Sequence, residues 1–422
     1  MNRHLLLLFS AALVVRLLYI SADIEVPPQD TPDYDEIAHN LLAGDGFVAS
    51  SNWFGYQLRA WRSPLYPLLL AGIYGTVGDS HAAVRVVQAL LGALTVVFVY
   101  FLARRLQPAS APVVGWLTVF YEPLVSATNE VMTEVLFTML LVAGVTAAIE
   151  ARHRQGWWWT SAAGLLIGLA ALTRPVGLLA APAILAVNAW EDWRGQRHWR
   201  QWLPPAALLS AGVVAAMLPW TMRNAAVLGA FVPATTHGGF IVARSNADHP
   251  AWRQEHGWRI DQQIFDRYPG ELERDRRWMA QGVGWIAANP GAWLQLVGER
   301  FLRFFYVFRP DYNAAFVILL PFLLVGMWRH GPDPDFRQLV AVVALSTSVF
   351  SVILYGSTRF RLPLEPFFLV FAGVAAVDGW RRWGGRFVAA SGLWIAGNGL
   401  LRFVDESLRA VVVGVLRAWG LK

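Results

Sequence analysis

"SPLYPLLLAGIYGTVG", residues 63–78, is apolar enough for lipid, yet it opens with two prolines and closes in glycines. As a helix rising about 1.5 Å per residue it falls short of the roughly 30 Å hydrocarbon core. Whether it crosses decides the side of every later loop. Ten further runs have the composition of membrane helices, at about 4–20, 84–103, 110–125, 131–149, 158–173, 175–190, 203–219, 313–328, 338–355 and 361–379. If 63–78 crosses, Arg104 and Arg105 fall on the side of Asp30. If it stays at the surface, five short loops share the side of Arg3. They carry Arg104/Arg105, Arg152/Arg154, Arg194/Arg197/Arg200, Arg329/Arg337 and Arg381/Arg382/Arg386. Short Arg-rich loops face the cytoplasm. That agreement makes 63–78 a surface or re-entrant helix and turns 21–83, 125–130, 220–312 and 356–360 outward.

Composition agrees with a polytopic membrane chain. Hydrophobic residues make up 56% and charged residues 15% of the sequence, where soluble domains carry about a quarter charged. The 21 Trp suit a chain with many water–lipid boundaries. Cys is absent, which removes disulfides and thiolate metal sites. The net charge of +6 is almost all Arg, scattered between apolar runs with no basic block, so no nucleic-acid partner is expected. The first apolar run, "HLLLLFSAALVVRLLYISA", lacks a clean small-x-small cleavage site and reads as a retained membrane helix.

Four units are expected: a membrane module over 1–219 with an outer loop at 21–83, an outer element at 220–312, membrane helices over 313–383, and a tail over 384–422. Within the outer element, Trp278, Val283, Ile286, Trp293, Leu296 and Val297 recur at helical spacing. The tail reads either as an extra helix pair or as an amphipathic cytoplasmic end. No solenoid or inverted-transporter repeat stands out.

The outer loop collects acids. "QDTPDYDEIAHNLLAGDGF", residues 29–47, holds Asp30, Asp33, Asp35 and Glu36. Thr31 can cap a helix, Pro32 suits its first position, and Gly44 or Gly46 ends it. Tyr34, Ile37, Ala38, Leu41 and Leu42 form its apolar face. Acids in a first helical turn complement the dipole at about 0.3–1 kcal/mol each, which accounts for Asp33, Asp35 and Glu36 without function. Asp30 lies before the cap and has no such account. On the same outer side fall Arg62, Glu122, Glu130, Glu134, Arg174, Arg223, His237, Arg359 and Arg361. Any one Arg is explained as a snorkelling interfacial residue. Carboxylates from two segments and Arg from at least four, all at one face, read instead as a site.

In order along the chain stand D-x-x-x-Y-x-x-I-A-x-N-L-L-x-G-x-G-F, R-S-P-L-Y-P, T-E-x-L-F-T, L-T-R-P, P-W-T-x-R-N and R-F-R-L-P-L-x-P. This set resembles the GT-C glycosyltransferases over about residues 25–370. The branch it is most similar to holds lipid A aminoarabinose transferases, rhizobial lipopolysaccharide core glycosyltransferases and protein O-mannosyltransferases. The resemblance implies a GT-C fold, all-α, with about 10–12 transmembrane helices and extracytoplasmic surface helices. It implies transfer of a sugar from a polyprenyl-phosphate donor to an extracytoplasmic glycolipid, lipopolysaccharide, glycan or protein. The site then lies on the outer side of a plasma (inner) membrane. The first-loop aspartate of the family, its catalytic base, maps onto Asp30, and its second acid onto Glu134. The cation before a Pro-Leu pair maps onto Arg62, with Arg223 and Arg359 as further donor-phosphate residues. Asp33, Tyr34, Asp35, Arg174, His237 and Arg361 are candidate substrate contacts. The family often pairs Asp-Glu where Asp30-Thr31 stands here, and often has Asp where Glu134 stands. No cofactor or metal ligand is assigned, and a divalent cation stays open.

The residues suit that chemistry. An acceptor hydroxyl needs a base within hydrogen-bond reach. The leaving phosphate needs no second carboxyl group as acid, unlike a glycosidase, so one carboxylate with inversion is expected. Arg pairs two phosphate oxygens at once. The alternative class is a transporter or flippase for a lipid-linked or anionic substrate, which would favour broken mid-membrane helices and repeat symmetry.

Overall fold

The computed structural model describes residues 3–22, 30–50, 56–154, 156–196, 199–256, 264, 267–268, 270–305 and 310–400. Among these the chain is helical, and the only β pairing is an isolated bridge between Ala49 and Leu58. The tail beyond 400 and the prolines at 27–28 lie outside the described residues.

Among the described residues six spans are long and apolar enough to cross a membrane: α1 (Arg3–Ser21), α4 (His81–Leu106), α7 (Glu134–His153), the Leu203–Leu228 part of α10 (Trp199–Leu228), α16 (Pro334–Val352) and Thr358–Trp383, which ends in α17 (Glu365–Trp383). Shorter apolar helices join them: α3 (Leu65–Val77), α5 (Ala111–Phe120), α8 (Trp157–Thr173) and α15 (Pro310–His330). This is a multi-pass membrane protein. Two expected spans are broken. The 110–125 run stops at Tyr121 and restarts as α6 (Glu122–Ser126), with Pro123 in its first turn. The 175–190 run begins as a 3-10 turn at Pro175 before α9 (Ala180–Arg194). α10 runs past 219 through Pro219 and carries Arg223 on its last turns.

Close helix contacts rest on small residues. A Cβ on Gly164 of α8 would lie 2.1 Å from the carbonyl oxygen of Leu209 on α10, and one on Gly212 would lie 2.7 Å from that of Ser161. Where lipid removes the usual hydrophobic drive between helices, such backbone approach supplies packing instead.

The ionic groups separate to two ends. At one end Arg105 pairs with Glu150 (3.9 Å), Arg152 and His153 with Asp335 (3.5 and 2.5 Å), Arg337 with Glu191, and His330 with Asp378 (2.7 Å). At the other end Asp30, Arg62, Glu134, Arg174 and Arg359 converge. Both ends of α3 lie at that second end. Arg62, just before it, reaches Asp30, and Tyr74 in its last turn donates to Asp35 at 2.6 Å. The helix therefore turns back without crossing.

The segments expected on the outer side form a second apolar core. Ile37, Phe47, Leu58 and Trp61 from the first loop pack with Trp252, Trp278, Trp285 and Leu296. Each buried aromatic contributes on the order of 3 kcal/mol of transfer free energy. The expected boundary at 219/220 cuts through this shared core. The expected single helix after 271 is two, α13 (Glu271–Ala288) and α14 (Pro290–Phe305), divided where Pro290 opens the second. Trp278 and Leu296 are buried as the spacing predicts, but Val283 is 51% exposed and Trp285 takes its inward place. α11 (Gly238–Asn246) lies against α13 so closely that a Cβ on Gly239 would meet the Asp275 carbonyl at 1.9 Å. Residues 385–400 are helical, and Trp394 donates to the carbonyl of Ile318 at 3.1 Å, so this part of the tail lies along α15.

Candidate functional site

α2 (Thr31–Ala43) begins one residue earlier than expected, at Thr31 where the cap was placed. Thr31 is helical, and its hydroxyl donates to the Val131 carbonyl at 3.1 Å instead of capping. Asp30 takes the N-cap position but makes no side-chain cap. Its carboxylate goes elsewhere. Oδ1 accepts from Arg62 Nη2 at 3.0 Å, and Oδ2 accepts from Arg359 Nη2 at 3.2 Å. Gly44 ends the helix with φ +89°, a conformation that favours glycine.

The pairing continues in both directions. Arg62 donates Nε and Nη2 to Asp33 Oδ2 at 2.9 and 2.6 Å. Arg359 Nε donates to Glu134 Oε1, which also accepts from Arg174 Nη1 at 2.8 Å. Asp33, Arg62, Asp30, Arg359, Glu134 and Arg174 thus alternate in sign along one chain of contacts. Aromatic faces support two of the cations: Arg62 lies 5.4 Å from the Tyr34 ring centre and Arg174 5.2 Å from that of Phe360. Burial by itself would raise the Asp30 carboxyl, but Arg62 and Arg359 outweigh it and hold it below the usual carboxylate range. It is an anion at neutral pH.

These groups edge a cavity of about 500 Å3. Asp30, Asp33, Tyr34, Arg62, Arg174, His237 and Arg359 all line it. His237 stacks near Trp61, ring centres 4.1 Å apart, and burial followed by the nearby Arg62 charge pushes its pKa down to about 3. Glu134 lies beneath, 2% exposed, holding two of the cations from below.

Three expected site residues are not brought there. Asp35 accepts from Tyr74 and pairs with His81 at 2.8 Å, away from the cavity lining. Arg361 is buried against Glu365 (2.7 Å) and donates to the carbonyls of Phe304 and Phe305. Arg223 donates to the carbonyls of Arg59 and Phe47 and lines a different cavity. Spare helix-dipole charge does not describe the acids of α2 either. Asp33 and Asp35 have the partners above, and Glu36 accepts from the Ser50 amide and hydroxyl at 2.6 and 2.8 Å. Arg244 and Tyr355 also line the cavity and went unmarked in the sequence. Arg244 sits within an ordinary amphipathic helix, where one Arg carries no signal.

Among the described residues no three His, Asp or Glu side chains converge as a metal-ligand group. Asp30, Asp33 and Glu134 each face a guanidinium.

Residues 61–222 match the family described as dolichyl-phosphate-mannose-protein mannosyltransferase. Two curated relatives are undecaprenyl phosphate-alpha-4-amino-4-deoxy-L-arabinose arabinosyl transferases. The one from Pseudomonas aeruginosa (strain LESB58) is 26% identical over 204 residues, 46% of this chain and 35% of its own length. The one from Edwardsiella ictaluri (strain 93-146) is 28% identical over 209 residues, 46% of this chain and 36% of its own. The match thus spans about a third of each relative. Among solved structures, ArnT from Cupriavidus metallidurans bound to undecaprenyl phosphate aligns over 94% of this chain and 72% of its own, with TM-score 0.55 and 15% identity. The Archaeoglobus fulgidus oligosaccharyltransferase in the apo form aligns over 94% and 54%, with TM-score 0.58 and 14% identity. The fold is that of the GT-C glycosyltransferases. In sequence the chain resembles the aminoarabinose transferases over about a third of their length. The GT-C fold accounts for helices that begin and end at one face, where side chains far apart in sequence meet.

Proposed function

We propose that this chain is a membrane glycosyltransferase. It moves a sugar from a polyprenyl-phosphate donor to a hydroxyl of an acceptor on the outer side of the plasma membrane, with inversion at the transferred carbon. One observation carries the reading: a carboxylate bridged by two guanidiniums on the wall of a cavity of about 500 Å3 at one end of a GT-C bundle. The names of the relatives, which mention undecaprenyl phosphate and dolichyl phosphate, support the donor class.

The residues divide the work. Arg62 and Arg359 take the donor phosphate, because a guanidinium fork matches two of its oxygens. The incoming phosphate competes with Asp30 for both cations, which frees the carboxylate as it brings the sugar to it. Asp30 accepts the acceptor's hydroxyl proton while the oxygen forms its bond to the anomeric carbon. The bond from that carbon to the phosphate oxygen breaks, and the lipid phosphate leaves with the electron pair. Arg62 and Arg359 stabilise the charge growing on that oxygen without solvent reorganisation. Glu134 and Arg174 position Arg359. His237, held neutral by burial, adds no charge repelling the cations.

The test is sugar transfer from a synthetic polyprenyl-phosphate sugar by the purified chain in liposomes, against Asp30→Asn. Product anomers read by NMR decide the stereochemistry. Equal turnover by both proteins, or movement of the intact donor across the bilayer with no transfer, would favour a flippase.

A further inference from the structure

A second cavity, of about 600 Å3, is lined by Asn40, Asp45, Phe47, Arg59, Arg223 and Val227, among others. Among the described residues its two cations form no ion pair. Arg59 donates to Gln57 Oε1 at 3.4 Å. Arg223 donates to the carbonyls of Arg59 (2.5 Å) and Phe47 (3.1 Å) and to Asn224 Oδ1 (3.0 Å). Among the described residues neither has a carboxylate in ion-pair range. Around the first cavity the reverse holds: Arg62, Arg174 and Arg359 all face carboxylates.

The second cavity is also a built one. The Arg59 and Ala60 amides are fixed by the Glu271 carboxylate at 2.7 and 3.0 Å, which commits that nearby acid to the backbone. The Arg223 guanidinium lies 5.6 Å from the Phe47 ring centre and 4.8 Å from that of Trp220. Val227, which lines the cavity, is 38% exposed near the end of α10. That helix is long and apolar enough to cross a membrane. The site therefore has two cations at the end of a membrane span, where lipid headgroups stand.

We propose that this cavity binds the phosphate-bearing headgroup of a membrane lipid, with phosphate oxygens on Arg59 and Arg223. Two guanidiniums side by side repel one another until a shared anion lies between them, and phosphate offers oxygens to both. The headgroup sits apart from Asp30 and does not enter the sugar-transfer step.

The protein purified in detergent is titrated with short-chain phosphatidylglycerol, with diacylglycerol of the same chains, and with inorganic phosphate, each bound species being counted by native mass spectrometry. Phosphatidylglycerol is expected to bind at one site, tightly relative to diacylglycerol. Arg59→Gln is expected to weaken it about tenfold or more, the order of one charged hydrogen bond. Arg59→Lys should recover part, since the charge returns without the fork. Arg59 has little to hold in the fold, so a matching melting temperature separates binding from folding. Equal binding by wild type and Arg59→Gln, or by phosphatidylglycerol and diacylglycerol, overturns the proposal. Displacement of the lipid by millimolar inorganic phosphate overturns the lipid assignment in favour of a soluble anion.

Discussion

Oδ2 of Asp30 lies 3.2 Å from Nη2 of Arg359, across 329 residues of chain. The contact joins the N-cap of α2 to the turn that precedes α17. It also sets the charge of the site, because Arg359 reaches Glu134 with its other face. Loss of Arg359 should therefore remove one phosphate ligand and loosen two carboxylates together. Arg359→Ala is expected to lower kcat about 10²–10³-fold, the scale of a preorganised charge donor, and Arg359→Lys to recover only part. Steady-state transfer assays on both variants check this; wild-type kcat in Arg359→Ala would remove the residue from the site.

Asp30→Asn keeps the shape and deletes the proton acceptor. A general base contributes about 10²–10⁴-fold, and a rate loss of that order is expected with donor binding retained. Asp33→Asn still lines the cavity and leaves Arg62 a neutral partner, so its loss should be smaller. Asp35→Asn should cost stability, since it holds Tyr74 and His81, and little rate. Collapse of turnover in Asp35→Asn with normal turnover in Asp30→Asn would reverse the assignment.

Arg62 faces both Asp30 and Asp33, so Arg62→Ala leaves two acids close together without their cation. Donor KM should rise strongly, with acceptor KM little changed. Arg62→Gln, which keeps some hydrogen bonding, should fall between. Separate titrations of donor and acceptor distinguish this from general damage to the fold.

His237 resists protonation only while folded, because its pKa falls from 6.5 to about 3 on burial. A group depressed in this way contributes stability that is whole above the unfolded pKa and is lost as pH falls toward the folded one. The wild-type melting temperature in detergent should thus decline as pH drops from about 6.5, and His237→Phe should flatten that decline. Asp30, held below the usual carboxylate range, should place no limb in the rate profile between pH 6 and 8. A melting curve equally steep in His237→Phe would shift the cause to another group.

Sidedness is checked by labelling in a chain that has no Cys of its own. Glu273→Cys on α13 should react with an impermeant reagent in intact cells. Arg154→Cys, 65% exposed at the opposite end, should react only after lysis. Labelling of Arg154→Cys in sealed cells would invert the orientation.

The bundle was legible in the sequence because lipid imposes a simple rule on length and composition, and the turning back of 63–78 followed from where Arg recurs. Asp30, Arg62, Glu134, Arg174, His237 and Arg359 were legible as a set, since charge near membrane depth is costly and has few innocent explanations. Arg223 and Arg361 satisfied the same rule and were misplaced by it. Arg361 satisfies itself on backbone carbonyls and Arg223 lines the second cavity, and no linear pattern distinguishes either case from a residue of the first. Thr31 failed for a related reason: its hydroxyl found a carbonyl a hundred residues away. Trp285 replaced Val283 because the outer core takes its partners from the first loop, which helical spacing does not see.

That shared outer core places a demand on biosynthesis. Trp61 and Ile37 emerge early, whereas Trp278, Trp285 and Leu296, which cover them, are translated more than two hundred residues later. At about 5–20 residues per second, the first outer loop waits on the order of ten seconds or longer with its aromatic face uncovered. Asp30 waits longer still for its second cation, since Arg359 arrives near the end. A nascent chain stalled between these points would present an acidic, apolar loop with no lid, a species suited to recognition by quality-control proteases.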